Sequence, residues 1–327
     1  MLIRIFKANY FYNYLLFPVV GILLLLKSFL TPGAFPPETT ASISPIFKPI
    51  YNLPFTHTTS LAINFAAVMI ICFQLLYINA TFSFIRERTF LTVYLFMFIV
   101  FALPNLHSIQ PVFVAAIFIL LAFFSIFKSF EKKKVISNGF NAGLFTGIAG
   151  LFYPSLNLLI FLVPISLYIL KNKIGWREWI ASFIGLSLPV IYSFTCYFLT
   201  NSLTPFYELY TSVFLPKDYS LLRQLPVLIY LGFLSVIIIA ASFFILKQYD
   251  EKKISTRRFY KIAFFYFATS LLLIIIPSVS HELLVILTLP LTFLLSNYLT
   301  FMRRRFWAEL IFTLLIIFSV ALQYVIK

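Results

Sequence analysis

The 327 residues carry a formal charge of +15, 61% hydrophobic residues, 42 Phe and only ten acids, with a mean hydropathy of +0.99. That composition leaves too little polar surface for a soluble domain of this size. The excess charge invites a nucleic-acid reading, but it sits in polar segments too short to build a basic groove, so attraction to lipid headgroups accounts for it.

Apolar runs alternate with short basic segments along the whole chain, which predicts an all-α polytopic bundle forming one integral membrane domain over 1–327. The runs fall at 10–31, 57–80, 89–103, 111–127, 137–153, 155–171, 179–200, 226–246, 262–276, 283–301 and 307–325. A span needs about 20 apolar residues. With all eleven crossing and the N-terminus cytoplasmic, 20 of the 25 basic residues lie on the inside, and only Lys27, Lys48, Lys217, Arg223 and Lys327 lie outside. Short cytoplasmic loops hold the Lys/Arg excess in membrane proteins, so this orientation follows from the sequence.

The first run, behind Arg4 and Lys7, is too long for a cleaved leader and reads as an uncleaved signal anchor. Residues Pro32 to Thr56 follow, with six prolines, one acid (Glu38) and many apolar side chains. Proline excludes a long regular helix there, and the apolar content excludes a solvated loop, so the segment is expected along the interface or folded over the bundle. In the second run, His57, Ser60, Asn64, Ala67, Ile71 and Gln74 share one helical face within an arc of about 100°. Such a stripe faces protein, through interhelical hydrogen bonds or along a substrate path. Cys72 and Cys196 both fall inside apolar runs and read as small buried hydrophobes, with no disulfide or zinc site indicated.

The runs 89–103 and 262–276 stand apart because each is short and stops at a proline, Pro104 or Pro277. Helices of that length reach about 22 Å against a hydrocarbon core of about 30 Å. A polar turn with a histidine follows each: Asn105-Leu106-His107-Ser108, and Ser278-Val279-Ser280-His281-Glu282. Two recessed turns predict a vestibule opening to the outer side, the bland alternative being ordinary loops at spans that end a turn later. His57, His107 and His281 all lie at outer ends. Protonated they could hold phosphate, and with Glu38 or Glu282 a divalent cation, although no ligand spacing supports a metal and no cofactor is expected. Gly139, Gly143 and Gly147 recur every fourth residue in the fifth run and predict a close-approach helix face. Finally, 201–225 pairs acids with aromatics in the manner of an interfacial helix or a solvated face. The sequence has no intramembrane acid relay, no nucleophile elbow and no His-Glu-x-x-His.

From Ala102 to Leu170 the order is a proline-ended span, a polar turn, a long span, a Glu131-Lys132-Lys133-Lys134 loop and then Asn138-Gly139-Phe140-Asn141-Ala142-Gly143-Leu144. That order resembles the central helices of GT-C-fold glycosyltransferases that use polyprenyl-phosphate-linked sugars. The whole chain, including Gly175-Trp176-Arg177-Glu178-Trp179, Gly185 and Pro189, also resembles an uncharacterised family of multi-spanning inner-membrane proteins of Bacteroidota-type bacteria. The first resemblance implies an enzyme whose long first outer loop bears a catalytic acid, the position matched by Glu38. Lys48, Arg223 and His281 would then neutralise the donor phosphate, with His107 and Glu282 in the turns lining the site. It also implies a lipid-linked donor as partner, while the second resemblance implies a bacterial inner-membrane location, and the short basic loops exclude nucleic acid. Two other functions fit the same residues: a non-catalytic scaffold or assembly factor binding membrane-protein partners, and a lipid or solute transporter or flippase.

Overall fold

A computed structural model of the chain describes residues 2–8, 10–31, 56–130, 132, 135–171, 175–201, 203–211, 224–275 and 281–325, and every described element is a helix. A short α1 (Leu2–Lys7) precedes α2 (Phe11–Leu30), then come α3 (His57–Phe82), α4 (Leu91–Val100), a 3-10 turn at Pro104–Leu106 and α5 (Pro111–Phe127). Next are α6 (Ile136–Phe152), a 3-10 segment at Pro154–Phe161, α7 (Leu162–Lys171), α8 (Trp176–Leu199) and α9 (Leu203–Thr211). The chain closes with α10 (Leu225–Lys247), α11 (Ile254–Ile275), a 3-10 turn at His281–Leu283, α12 (Leu284–Phe301) and α13 (Arg305–Val325). Among the described residues seven helical stretches are long and apolar enough to cross a membrane: α2, α3, Pro154–Lys171, α8, α10, α12 and α13. The apolar helices α4 and α5 are shorter.

A helix occupies every apolar run read from the sequence, with three differences of detail. The run at 155–171 is split, because Pro164 has no N–H to give the Ile160 carbonyl as a continuous α-helix needs, and its first half winds as 3-10. The run at 262–276 is the apolar end of a longer helix: α11 starts at Ile254, just after a corner where Arg257 holds the carbonyls of Lys252 at 2.8 Å and Asp250 at 2.8 Å. The acid and aromatic spacing after Asn201 does form a helix, α9, over Leu203–Thr211. Cys72 is buried as expected, whereas Cys196 lies on an exposed face of α8.

The helix ends that meet reveal the direction in which each helix runs. At one end Lys7, before α2, pairs with Glu87, before α4, at 2.6 Å. There too Asn138 of α6 donates to Ser129, after α5, at 3.0 Å, and Lys171 of α7 pairs with Glu178 of α8 at 3.4 Å. Lys252, between α10 and α11, donates to Asn297 of α12 at 3.0 Å, and Tyr260 of α11 donates to the Phe84 carbonyl, after α3, at 2.9 Å. At the other end the tails of α2 and α13 meet the chain leaving α4 and the start of α3. Hence α2, α4, α6, α8, α11 and α13 run one way and α3, α5, α7, α10 and α12 the other. The basic loops described here gather at the first end, called the basic end below.

At the centre lies α12, whose residues from Val285 to Asn297 are all buried. Phenylalanine fills the space around it: Phe84 stacks on Phe293 at 4.6 Å between centroids and meets Phe127 edge-on at 5.0 Å. At the periphery the glycines of α6 are spent on α8. A Cβ on Gly147 would come within 2.6 Å of the Leu186 carbonyl, and one on Gly143 would overlap the Ser182 carbonyl. The contacts Gly139 with Glu178, Gly143 with Ser182 and Gly147 with Leu186 rise in step, so α6 and α8 are parallel, and α7, which joins them in the chain, runs back the other way.

Candidate functional site

Opposite the basic end, three helices, α2, α3 and α13, are fastened to the chain that leaves α4 and carries His107. Asn64 of α3, 1% exposed, donates to the Leu106 carbonyl at 2.9 Å and the His107 carbonyl at 2.8 Å. One turn earlier, Ser60 accepts from the Ile109 amide at 3.1 Å. The polar stripe of the second apolar run therefore does face protein, and its Ser60 and Asn64 secure the turn by interhelical hydrogen bonds. His107 approaches the Ser28 hydroxyl of α2 with Nδ1 at 2.6 Å and the Phe101 carbonyl with Nε2 at 2.9 Å. A carbonyl can only accept, so Nε2 carries the hydrogen and Nδ1 takes the serine proton in its lone pair. The same carbonyl accepts from Gln323 of α13 at 2.7 Å, and Lys27 donates to the Gln323 carbonyl while lying 5.0 Å over the Tyr324 ring.

His107 was a candidate phosphate ligand, and the structure gives it a different part. Both ring nitrogens are engaged by protein, and burial pushes its pKa from 6.5 down to about 4, with the hydrogen bond to Phe101 acting against that and the Lys27 charge adding to it. A neutral, enclosed imidazole is a fastener, not a cation offered to a ligand. Two amide oxygens beside it, Asn64 Oδ1 and Gln110 Oε1, are buried with no donor among the described residues. A buried acceptor left so costs about 1–3 kcal/mol, which makes this turn the polar focus of its end of the bundle.

Below the turn lies an apolar cavity of about 280 Å³ between α4, α10, α11 and α12. Leu103 and Leu106 from the first recessed turn line it, and so do Ile274 and Leu284 from either side of the second. The two proline-ended runs thus both border one cavity, which is apolar and not the outward-opening vestibule expected from their polar turns. On the flank it reaches Ser235 of α10 and Leu271 of α11, both exposed on the outer surface of the bundle, so it is approached sideways from between those helices.

Glu282, 6% exposed, stands in the 3-10 turn leading into α12, two residues before Leu284 of the cavity wall. A carboxylate there stands at the N-terminal end of α12, the positive end of the helix dipole. His281 belongs to the same turn, but its side chain lies outside the described residues, as do Glu38, Lys48 and Arg223 entirely. Among the described residues no group of three His, Cys, Asp or Glu side chains could hold a metal ion.

An all-helical bundle with seven stretches able to cross a bilayer, and an apolar cavity entered between helices, defines a multi-pass membrane protein. The chain belongs to DUF6427, a family of unknown function, which matches residues 43–327. No curated protein and no solved structure matches it.

Proposed function

We propose that this protein is a glycosyltransferase-like enzyme of the bacterial inner membrane that takes a polyprenyl-phosphate-linked sugar from the bilayer and works at the outer face. The observation that carries the reading is the apolar cavity beneath the two polar turns. An isoprenoid chain entering between α10 and α11 would find a wall of leucine, isoleucine and phenylalanine, with its phosphate left level with the turns. The alternating helix directions support eleven crossings with the N-terminus inside, because they gather the basic loops on one side as the positive-inside rule requires.

Lys48, Arg223 and His281 are the groups assigned to the donor phosphate, as charge-assisted donors to its oxygens. Glu38 is the general base toward an acceptor hydroxyl, while positive charge develops on the sugar ring. Glu282 is assigned to the substrate, as one of the turn residues lining the site. The scaffold reading loses one of its grounds, since Gly143 and Gly147 are already covered by α8.

Native mass spectrometry of gently purified protein tests the carrier. Wild type is expected to retain a polyprenyl phosphate or its sugar conjugate, and Ser235→Trp, which fills the flank of the cavity, to lose most of it. Retention of only ordinary phospholipids, or of carrier at wild-type level in Ser235→Trp, removes the cavity from the argument. Glu38→Gln is expected to abolish sugar transfer at unchanged membrane levels, and full activity in that variant would take Glu38 out of the site.

A further inference from the structure

A second cavity, of about 450 Å³, lies at the basic end. Arg4, Lys7 and Arg88 line it with a single acid, Glu87, and with Tyr10 and Tyr12. Lys7 is already committed, to Glu87 at 2.6 Å and to the Thr300 carbonyl at 3.3 Å. Among the described residues no carboxylate pairs with Arg4 or Arg88. Two guanidinium groups therefore share one cup whose acid, Glu87, is paired with Lys7, and neither has a carboxylate partner among the described residues.

The cup is built rather than incidental. Asn13, fully buried, donates to the carbonyls of Ile5 at 2.9 Å and Ala8, and its own oxygen accepts from the Tyr94 hydroxyl of α4 at 3.1 Å. Tyr12 donates to the Ile5 carbonyl at 3.3 Å. These bonds fix the corner from α1 into α2, so the cations of α1 are held opposite Arg88. Directly beside the cup, α2 begins with Phe11 82% and Leu15 66% exposed, an apolar face largely uncovered among the described residues, with Tyr14 at its edge packing on Phe90 at 4.7 Å.

We propose that this cup binds the phosphate headgroup of an anionic glycerophospholipid from the leaflet at the basic end. Arginine presents a planar fork that matches phosphate oxygens in pairs, and basic pockets on the cytoplasmic side of helix bundles hold such headgroups. The lipid chains lie along the exposed face of α2, which starts at the rim. A soluble phosphate ester shares the phosphate chemistry but leaves that apolar face uncovered, and this decides for the lipid. The site is separate from the apolar cavity of the opposite end and does not depend on the enzyme reading.

The test is a titration of the delipidated full chain with phosphatidylglycerol or phosphatidylcholine, read by native mass spectrometry. Wild type is expected to hold phosphatidylglycerol in preference, Arg4→Gln/Arg88→Gln to lose at least about tenfold in affinity, and Arg4→Lys/Arg88→Lys to fall between them, as loss of a forked contact predicts. Lys247→Gln/Lys253→Gln removes the same charge from exposed positions at the same end and is expected to bind like wild type. Undiminished binding in Arg4→Gln/Arg88→Gln, an equal fall in Lys247→Gln/Lys253→Gln, or displacement of the lipid by glycerol 1-phosphate at equal concentration would each overturn the proposal.

Discussion

Gly143→Ala is expected to remove most of the folded protein, while Gly232→Ala leaves the yield unchanged. The difference is one of space, since both changes carry the same helix propensity gain of about 1 kcal/mol. A Cβ on Gly143 overlaps the Ser182 carbonyl of α8, and a Cβ on Gly185 overlaps the Phe140 carbonyl of α6, so each helix presses backbone on backbone with no flexible side chain to yield. A Cβ on Gly232 has nothing within 4 Å. Relieving the first overlap requires α6 and α8 to separate along the whole run from Gly139 to Leu186, with a loss of about 3 kcal/mol or more from overpacking and broken contact. Size-exclusion profiles in mild detergent and thermal unfolding of Gly143→Ala, Gly185→Ala and Gly232→Ala decide the matter. Monodisperse Gly143→Ala with an unchanged Tm would mean that the two helices do not pack as described.

The same pair of helices shows what the sequence could and could not reveal. Glycines at every fourth residue announce a close face, but not its partner, because Ser182, Gly185 and Leu186 have no such period of their own. The apolar runs and basic loops were legible because hydropathy and charge are local properties, and the helices appear where those runs lie. The start of α11 was not, since Arg257 and Arg258 look like loop residues until the carbonyls of Lys252, Asp250 and Leu170 are seen to hold them. At the candidate site, the two proline-ended runs and their polar turns suggested a vestibule open to the outer side, whereas the cavity found is apolar and is lined by Leu103 and Leu106 of the first turn and by Ile274 and Leu284 of the helices flanking the second. His107 was picked out for its residue type, yet its partners Ser28 and Phe101 come from other segments that no spacing rule links to it. The basic cup was invisible for the same reason: Arg4 and Arg88 are far apart in sequence and meet only when α1 folds back beside the loop before α4.

Because the His107 turn fastens α2, α3 and α13 to the chain leaving α4, its protonation is expected to loosen the whole end of the bundle opposite the basic loops. The turn lies between α4 and α5, and the folded protein holds its imidazole neutral, with a pKa lowered from 6.5 to about 4 by burial, partly offset by the Phe101 hydrogen bond and increased by Lys27. In the unfolded chain the ring takes up its proton near the ordinary value. The depressed pKa therefore contributes nothing adverse above about pH 6.5, and stability is lost progressively as pH falls from there through about 4, where the native ring also protonates. A separation of this size is worth about 3 kcal/mol across that window. Protonation also turns Nδ1 from an acceptor into a donor, which reverses the polarity needed by its bond to Ser28. Thermal unfolding of wild type and His107→Gln at pH 7, 5 and 4 separates this from the titration of surface carboxylates. The variant should start less stable at pH 7, since glutamine cannot match both bonds, and should lose less than wild type on acidification. Parallel losses in the two proteins would place the acid-sensitive group elsewhere and leave His107 as an ordinary packed side chain.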